Sequence, residues 1–593
     1  MIRHIFLLLM GFLSFYLPAN AQIHKQIVPY QGITDPHIRI FENRAYLFAG
    51  HDMSYNAEDY QMPNWWVWSS EDLVNWTKEF ELYPEDTYMG PMKSCWATDA
   101  AERNGKYYWY LSKKNEEVAV VVADQPQGPY VDVLKQPLLP KGMTDCHQYD
   151  PGVFIDDDPG KSPYLLFGET YHGQYHIAKL NDDMVSLAEA PRKIELIGQY
   201  RIEDKGFIFK RLGRYYLIFG ETYAVAEDIY GPYFIGGKFY GNHNSVFRWH
   251  QQDYVVTANN KCHGCIHPFM RGSSIYYLHF RGDGAVYIDE NGGYGVGAYD
   301  ANRPRLEAEN YFMADGVRKV NGIENDFYLS PLKDGGYAIF PNMAHLEHKS
   351  MLRMFVASNS RAGNNQIEIR ADSPSGKLLN TVSVPFSWNK MTEIECSLPP
   401  LKGVNGLCFV FRGASYPAIT FDAFSFSPEG HDIKTPQAHW DFTNGLQGWQ
   451  HDRKPLVWKS GAILFSKASG SEMVSPLNIR TDLNQANLLT LRIKNNGGRA
   501  RAKVAFSTVV DTLGKKQLQH WDAGAHQYID LSPNSDWTDY VIDFSAHPLW
   551  KGKLNQLKIS FEPVKKGGIA LSDVMLWKKE DYQLAPLYAD FQY

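Results

Sequence analysis

Residues 201–220 read RIEDKGFIFKRLGRYYLIFG: two acids, a short apolar strand, a Leu-Gly turn and a Tyr-rich returning strand. The same unit recurs along the first half of the chain, and self-similarity at this scale outranks any single residue as a fold signal. The returning strands are NRAYLFAG (43–50), NGKYYWYLS (104–112), GKSPYLLFG (160–168), LGRYYLIFG (212–220) and QQDYVVTAN (251–259). The strands that lead into them are DPHIRIFE (35–42), WATDAAER (96–103), DPGVFIDD (150–157), DKGFIFKR (204–211) and HNSVFRWH (243–250). Each unit has room for about four strands and helical periodicity is scarce, which is the pattern of radially repeated sheets. The five units predict a five-bladed β-propeller over residues 22–302.

Outward from the repeat, the texture changes at residue 303. RPRLEAENYFMADGV opens a run of short alternating strands to residue 430, and HWDFTNGLQGWQ begins another within 431–593. Alternation with Gly, Asn and Asp turns predicts two β-sandwiches, so the whole chain is read as all-β.

Composition narrows the function. The 593 residues carry a net charge of −7, which leaves no electrostatic footprint for nucleic acid or an anionic membrane surface. Aromatic residues make up 14% of the chain, suiting both β-cores and stacking on sugar rings. Residues 1–21 have a basic start, an apolar run and Ala-Asn-Ala before Gln22, and predict an exported protein, periplasmic or extracellular. No later apolar run is long enough to span a bilayer. Cys262 and Cys265 form a single CxxC around His263, a weak zinc signal beside a loop disulfide or free thiols.

Counting back from the first Tyr of each returning strand exposes a register. Asp35, Trp96, Asp204 and His243 precede Tyr46, Tyr107, Tyr215 and Tyr254 by eleven residues, and Asp150 precedes Tyr164 by fourteen across a longer turn. Equal register places these residues at the start of each innermost strand, around the propeller axis. Side chains alternate along a strand, so Asp204 is expected inward and Glu203 outward, unless a local bulge brings Glu203 in. Three carboxylates with a His suit glycosidic hydrolysis, which needs a carboxylate base and a carboxylic acid. A neighbouring carboxylate keeps the acid protonated by like-charge repulsion. Further candidates to contact sugar are Trp96, His51, Asp52, His243 and the repeated FGETY residues Glu169 and Glu221.

DPHI, YDPGVFIDDD, DKGFIFKRLGRYYLIFG and NHNSVF resemble the blade-start motifs of glycoside hydrolase family 43. The resemblance implies inverting hydrolysis of terminal arabinofuranosyl or xylosyl residues, or galactosyl ones, in plant polysaccharide, with no catalytic cofactor. It implies Asp35 as general base, Asp150 as the group tuning proton affinity, and an acid in an EGP-like motif. This chain has EDK there, leaving the acid between Asp204 and Glu203; a propeller that has lost its acid and only binds carbohydrate is the alternative. His243 matches the central His of that family. RLEAENY and ITFDAFSF resemble carbohydrate-binding module family 6, which implies a structural calcium held by Glu307, Glu309 and Asp422. Sugar-stacking rings of that module would be sought at Tyr337 and Trp388. The last segment is similar only to a galactose-binding-like jelly roll.

Overall fold

The structure, a computed structural model, describes residues 26–583 other than 30, 54–58, 170–172, 260–268, 290–295, 323–325, 360–364, 389, 414–418, 427–435, 443–444, 452–455, 466–470, 477–478, 480, 509–520 and 564–566. The proposed leader and the Cys262–Cys265 pair lie outside the described residues. No described helix is long and apolar enough to cross a membrane, which says nothing of membrane strands.

Five sheets, antiparallel apart from one short parallel pair at the outer edge of the fourth, follow one another as the blades. Their innermost strands are Ile33–Phe41, Cys95–Arg103, Gly152–Ile155, Gly206–Arg211 and Asn242–Trp249. Each pairs with the Tyr-rich strand behind it: Arg44–His51, Lys106–Lys113, Pro163–Glu169, Arg214–Phe219 and Gln252–Asn259. Tight turns with left-handed residues, such as Glu42-Asn43 and Leu212-Gly213, set the pairing.

The period-two pattern explains why the ring closes. Along each Tyr-rich strand, side chains alternate between the preceding and the following blade. Tyr107 packs with Tyr46 and Trp65 of blade 1, while Tyr108 packs with Val153 and Leu165 of blade 3. Tyr215 faces Tyr175 in blade 3, and Tyr216 faces Val255 in blade 5. The last interface joins Tyr254 and Ile275 of blade 5 to Leu47 and Trp66 of blade 1. Between blades 1 and 2, large side chains such as Trp65 and Trp109 are fully buried, each stabilising by about 1.5–3 kcal/mol. The propeller expectation is met.

Two sandwiches complete the all-β chain. One pairs a sheet containing Met351–Ser358 and Ile419–Phe426 with one containing Gln366–Ala371 and Leu407–Arg412, over a core of Phe340, Phe409, Phe421 and Phe424. The other stacks sheets centred on Leu488–Asn495 and Ala500–Thr508 over Trp449, Phe506 and Phe544. The first sandwich is bonded to blade 5: Gln252 Nε2 donates to the carbonyls of Glu309 and Tyr311, and Tyr254 OH to that of Phe312.

Candidate active site

The innermost strands begin with the backbone in an unusual state. Asp35, Asp150, Lys205 and His243 have φ of 50°, 53°, 60° and 48°, left-handed values that L residues reach at a cost. In blades 1, 2 and 5 the pairing register shifts at this point, between Thr34 and His37, Trp96 and Thr98, and Asn242 and Ser245. A bulge re-aims one side chain and ends the ladder. Here it turns the residue at its apex away from the sheet.

This geometry corrects the expected register in two blades. Each apex lies six residues before the last residue of its hairpin arm: Asp35 before Phe41, Ala97 before Arg103, Asp150 before Asp156, Lys205 before Arg211 and His243 before Trp249. The equivalent returning residues are Tyr46, Tyr108, Tyr164, Tyr216 and Tyr254, all facing the following blade. Blades 2 and 4 carry Tyr doublets, and the first Tyr of each faces backwards. Ala97, not Trp96, and Lys205, not Asp204, therefore hold the registered positions. Trp96 is half-buried, and its carbonyl accepts a bond from Trp65 Nε1.

Asp204 still joins the axial group from one residue earlier. Its Oδ1 accepts a 2.6 Å hydrogen bond from Tyr149 OH, and its charge is the leading carboxylate influence on Asp150. Glu203 points elsewhere: its Oε1 lies 3.1 Å from Arg201 Nε and its stem lies against Gly220. Its carbonyl takes the Tyr175 hydroxyl.

The buried carboxyls are driven in opposite directions. Burial alone raises the Asp35 pKa, but Arg271, then His243, the Thr34 hydroxyl and Lys205 outweigh it and leave Asp35 below its ordinary value. Arg271 Nη1 donates to Asp35 Oδ1 at 2.8 Å, and His243 Nδ1 lies 3.3 Å from the same oxygen. Asp150 goes the other way: burial, then Asp204 and Asp35, push it well above the usual carboxylate range. Its backbone N–H donates to Ser112 Oγ at 2.8 Å, fixing it between blades 2 and 3. An ionised Asp35 beside an Asp150 that retains its proton is an acid–base arrangement.

The family description "Glycosyl hydrolases family 43" matches residues 27–268, and "Carbohydrate binding module (family 6)" matches residues 307–428. The chain carries a family 43 glycosyl hydrolase domain. It is similar to the arabinoxylan arabinofuranohydrolase of Bacillus subtilis (strain 168), 26% identical over 497 residues, 70% of this chain and 95% of that protein. It is also similar to a xylosidase/arabinosidase of Bacteroides ovatus, 23% identical over 328 residues, 45% of this chain and 97% of that one. A solved family 43 arabinoxylan arabinofuranohydrolase from Bacillus subtilis, in complex with cellotetraose, aligns at TM-score 0.40 and 22% identity. That alignment covers 69% of this chain and all of the other.

Within the family 43 domain the remaining expected contacts separate. Asp52 is fully buried and both its oxygens accept bonds from Arg271, so it anchors that arginine under Asp35. His51 stacks on Trp66 with ring centroids 3.8 Å apart and bonds Asn64 Oδ1. Glu221 is exposed in a turn after the blade 4 Tyr strand, and Glu169 ends its strand with a side chain outside the description. Residue type and spacing missed Arg271, Tyr149 and Lys205. A hairpin-based register finds Lys205 alone.

The family 6 module does not assemble the calcium set expected of Glu307, Glu309 and Asp422. Among the described residues no three His, Cys, Asp or Glu come together to hold a metal. Arg305 supplies the cation instead: Nε bonds Glu307 at 2.8 Å and Nη2 bonds Asp422 Oδ1 at 2.8 Å. Glu309 is buried, and burial followed by the Glu307 charge holds its carboxyl well above the ordinary range. A guanidinium thus bridges Glu307 and Asp422, while Glu309 Oε2 is buried without a hydrogen-bond partner among the described residues. Trp388 is 73% exposed, whereas Tyr337 packs on Ile339 and Val410.

Proposed function

We propose that this protein is an inverting exo-acting glycosidase that releases terminal arabinofuranosyl or xylosyl residues, with galactosyl residues as a third choice, from plant polysaccharide. The observation that carries the reading is the opposed protonation of the axial carboxyls. Asp35, held ionised by Arg271 and His243, is the group to activate water. Asp204, held by the Tyr149 hydroxyl at 2.6 Å next to the proton-retaining Asp150, is placed to receive that proton and deliver it to the leaving oxygen. The names of the similar proteins, among them arabinofuranohydrolase, xylosidase/arabinosidase and β-xylosidase, support the same sugars. The family 6 match supports carbohydrate as the partner. Residues 1–21 support export, which fractionation of expressing cells checks. The chemistry is tested by incubating the protein with arabinoxylan, xylo-oligosaccharides and galactan and following the first-formed sugar by proton NMR. Release of a pentose in inverted anomeric form is expected. Retention, or release of no sugar, rejects the proposal.

A further inference from the structure

Lys205 is an unusual residue to find at a propeller axis. It is 1% exposed and is a lysine in a left-handed conformation, φ 60°, which no feature of lysine favours. Its ammonium crosses from blade 4 to bond the carbonyl of Pro151 in blade 3 and to approach that of Thr98 in blade 2 at 3.5 Å. The Pro151 carbonyl immediately follows Asp150. The charged and titratable groups around it are Asp35 and His37 in blade 1, Asp99 with its partner Arg39, Asp150, and His243. Asp99 is already neutralised by Arg39, which bonds both its oxygens at 2.6–3.0 Å. Asp35 has Arg271 at 2.8 Å, so the ammonium acts most directly on Asp150 and adds to the cations around Asp35.

We propose that Lys205 is a positioning residue of the glycosidase site: a fixed internal cation beneath the carboxyl group that sets the charge state in which Asp35 and Asp150 work. The inference rests on the function proposed above. A cation lowers the pH at which a neighbouring carboxyl ionises, so without it both Asp35 and Asp150 take up protons at higher pH. Burial lowers Lys205 itself to about 8, against opposing pulls from Asp99 and Asp150. Its influence is therefore full in neutral solution and fades above pH 8.

The test compares kcat/KM against pH for wild type, Lys205→Gln and Lys205→Met on an aryl glycoside of the released sugar. In parallel, the carboxyl carbons of ¹³C-aspartate-labelled protein are titrated by NMR. Gln keeps a hydrogen bond to the carbonyls and drops the charge. Both limbs of the profile should move up by on the order of one pH unit in both variants, and the displacement from wild type should shrink above pH 8. A folded Lys205→Gln with wild-type limbs overturns the proposal, because it shows that only the carbonyl bonds matter. Should Lys205→Met fail to fold, Lys205→Gln decides alone. If wild type cleaves no glycoside, the functional reading has failed. The NMR titration still decides Lys205: displaced aspartate signals support the proposal and unmoved ones overturn it.

Discussion

The buried ammonium of Lys205 has a thermodynamic signature separate from turnover. Its folded pKa of about 8 lies below the ordinary 10.5. The folded state thus binds this proton more weakly than the unfolded chain. A group displaced in that direction destabilises the fold fully below about pH 8, and the cost disappears as pH rises towards 10.5. At about 1.4 kcal/mol per pH unit the full cost is about 3 kcal/mol, and integration gives about 2 kcal/mol released between pH 7.5 and 9.5. Lys205→Gln lacks this titration, while the many exposed groups titrate alike in both proteins and cancel. Urea unfolding is followed by tryptophan fluorescence at both pH values, on the transition that coincides with loss of wild-type turnover. Lys205→Gln should lose about 2 kcal/mol of stability relative to wild type on going from pH 7.5 to 9.5. A stability difference that is flat across this range refutes the reasoning, since the ammonium would then not be desolvated in the fold.

Two further outcomes follow from the same geometry. Asp35→Asn keeps the Thr34 and Arg271 neighbours but cannot accept a proton, so kcat should fall by about 10²–10⁴-fold in a protein that still folds but melts lower, having lost the buried pair with Arg271; near-wild-type turnover would remove Asp35 as base. In the family 6 module, EDTA should leave the melting temperature unmoved, because Arg305 rather than an ion joins Glu307 and Asp422. Arg305→Met should cost about 1 kcal/mol, limited by the partial exposure of the pair; an EDTA-sensitive transition in calorimetry would restore the calcium reading.

How far the sequence could be read depended on the reach of each signal. The blades were legible because turn residues and Tyr-rich strands are local and recur five times, and because alternation is a two-residue rule. Asp35, Asp150 and His243 were legible for the same reason: each lies a fixed count from its hairpin. Blade 4 misled because RYYLIF offers two tyrosines facing opposite neighbours, and nothing within the strand says which one matches Tyr46. The packing partner decides, and that partner is another blade. Arg271 was invisible for a different reason. It joins Asp35 and Asp52 across more than 200 residues of chain, and no local pattern encodes such a contact. The ion pairing of Glu307 and Asp422 was not legible because Arg305 lies two residues before Glu307, a spacing with no motif of its own, while Asp422 sits more than 100 residues later on the strand that pairs with Glu307's.

The identity of the acid is the sharpest remaining consequence of blade 4. With Lys205 at the registered position, neither acid of EDK inherits its role from register, so placement must decide. Asp204 is bonded by Tyr149 at 2.6 Å, and its charge reaches both Asp150 and His243. Glu203 is turned towards Arg201, which is 85% exposed, so that ion pair contributes little and does not lock the side chain. What holds Glu203 there is packing: its stem fills the space beside Gly220 that a Cβ would otherwise occupy. Asp204→Asn and Glu203→Gln are therefore assayed on glycosides with poor and good leaving groups. A departing group that is already acidic needs little protonation, so loss of the acid slows poor leaving groups selectively, by about 10²–10⁴-fold. Asp204→Asn should show that selectivity, and Glu203→Gln should slow both substrates alike and modestly. The reverse result would mean that Glu203 swings off Gly220 when substrate binds, and the acid role would pass to it.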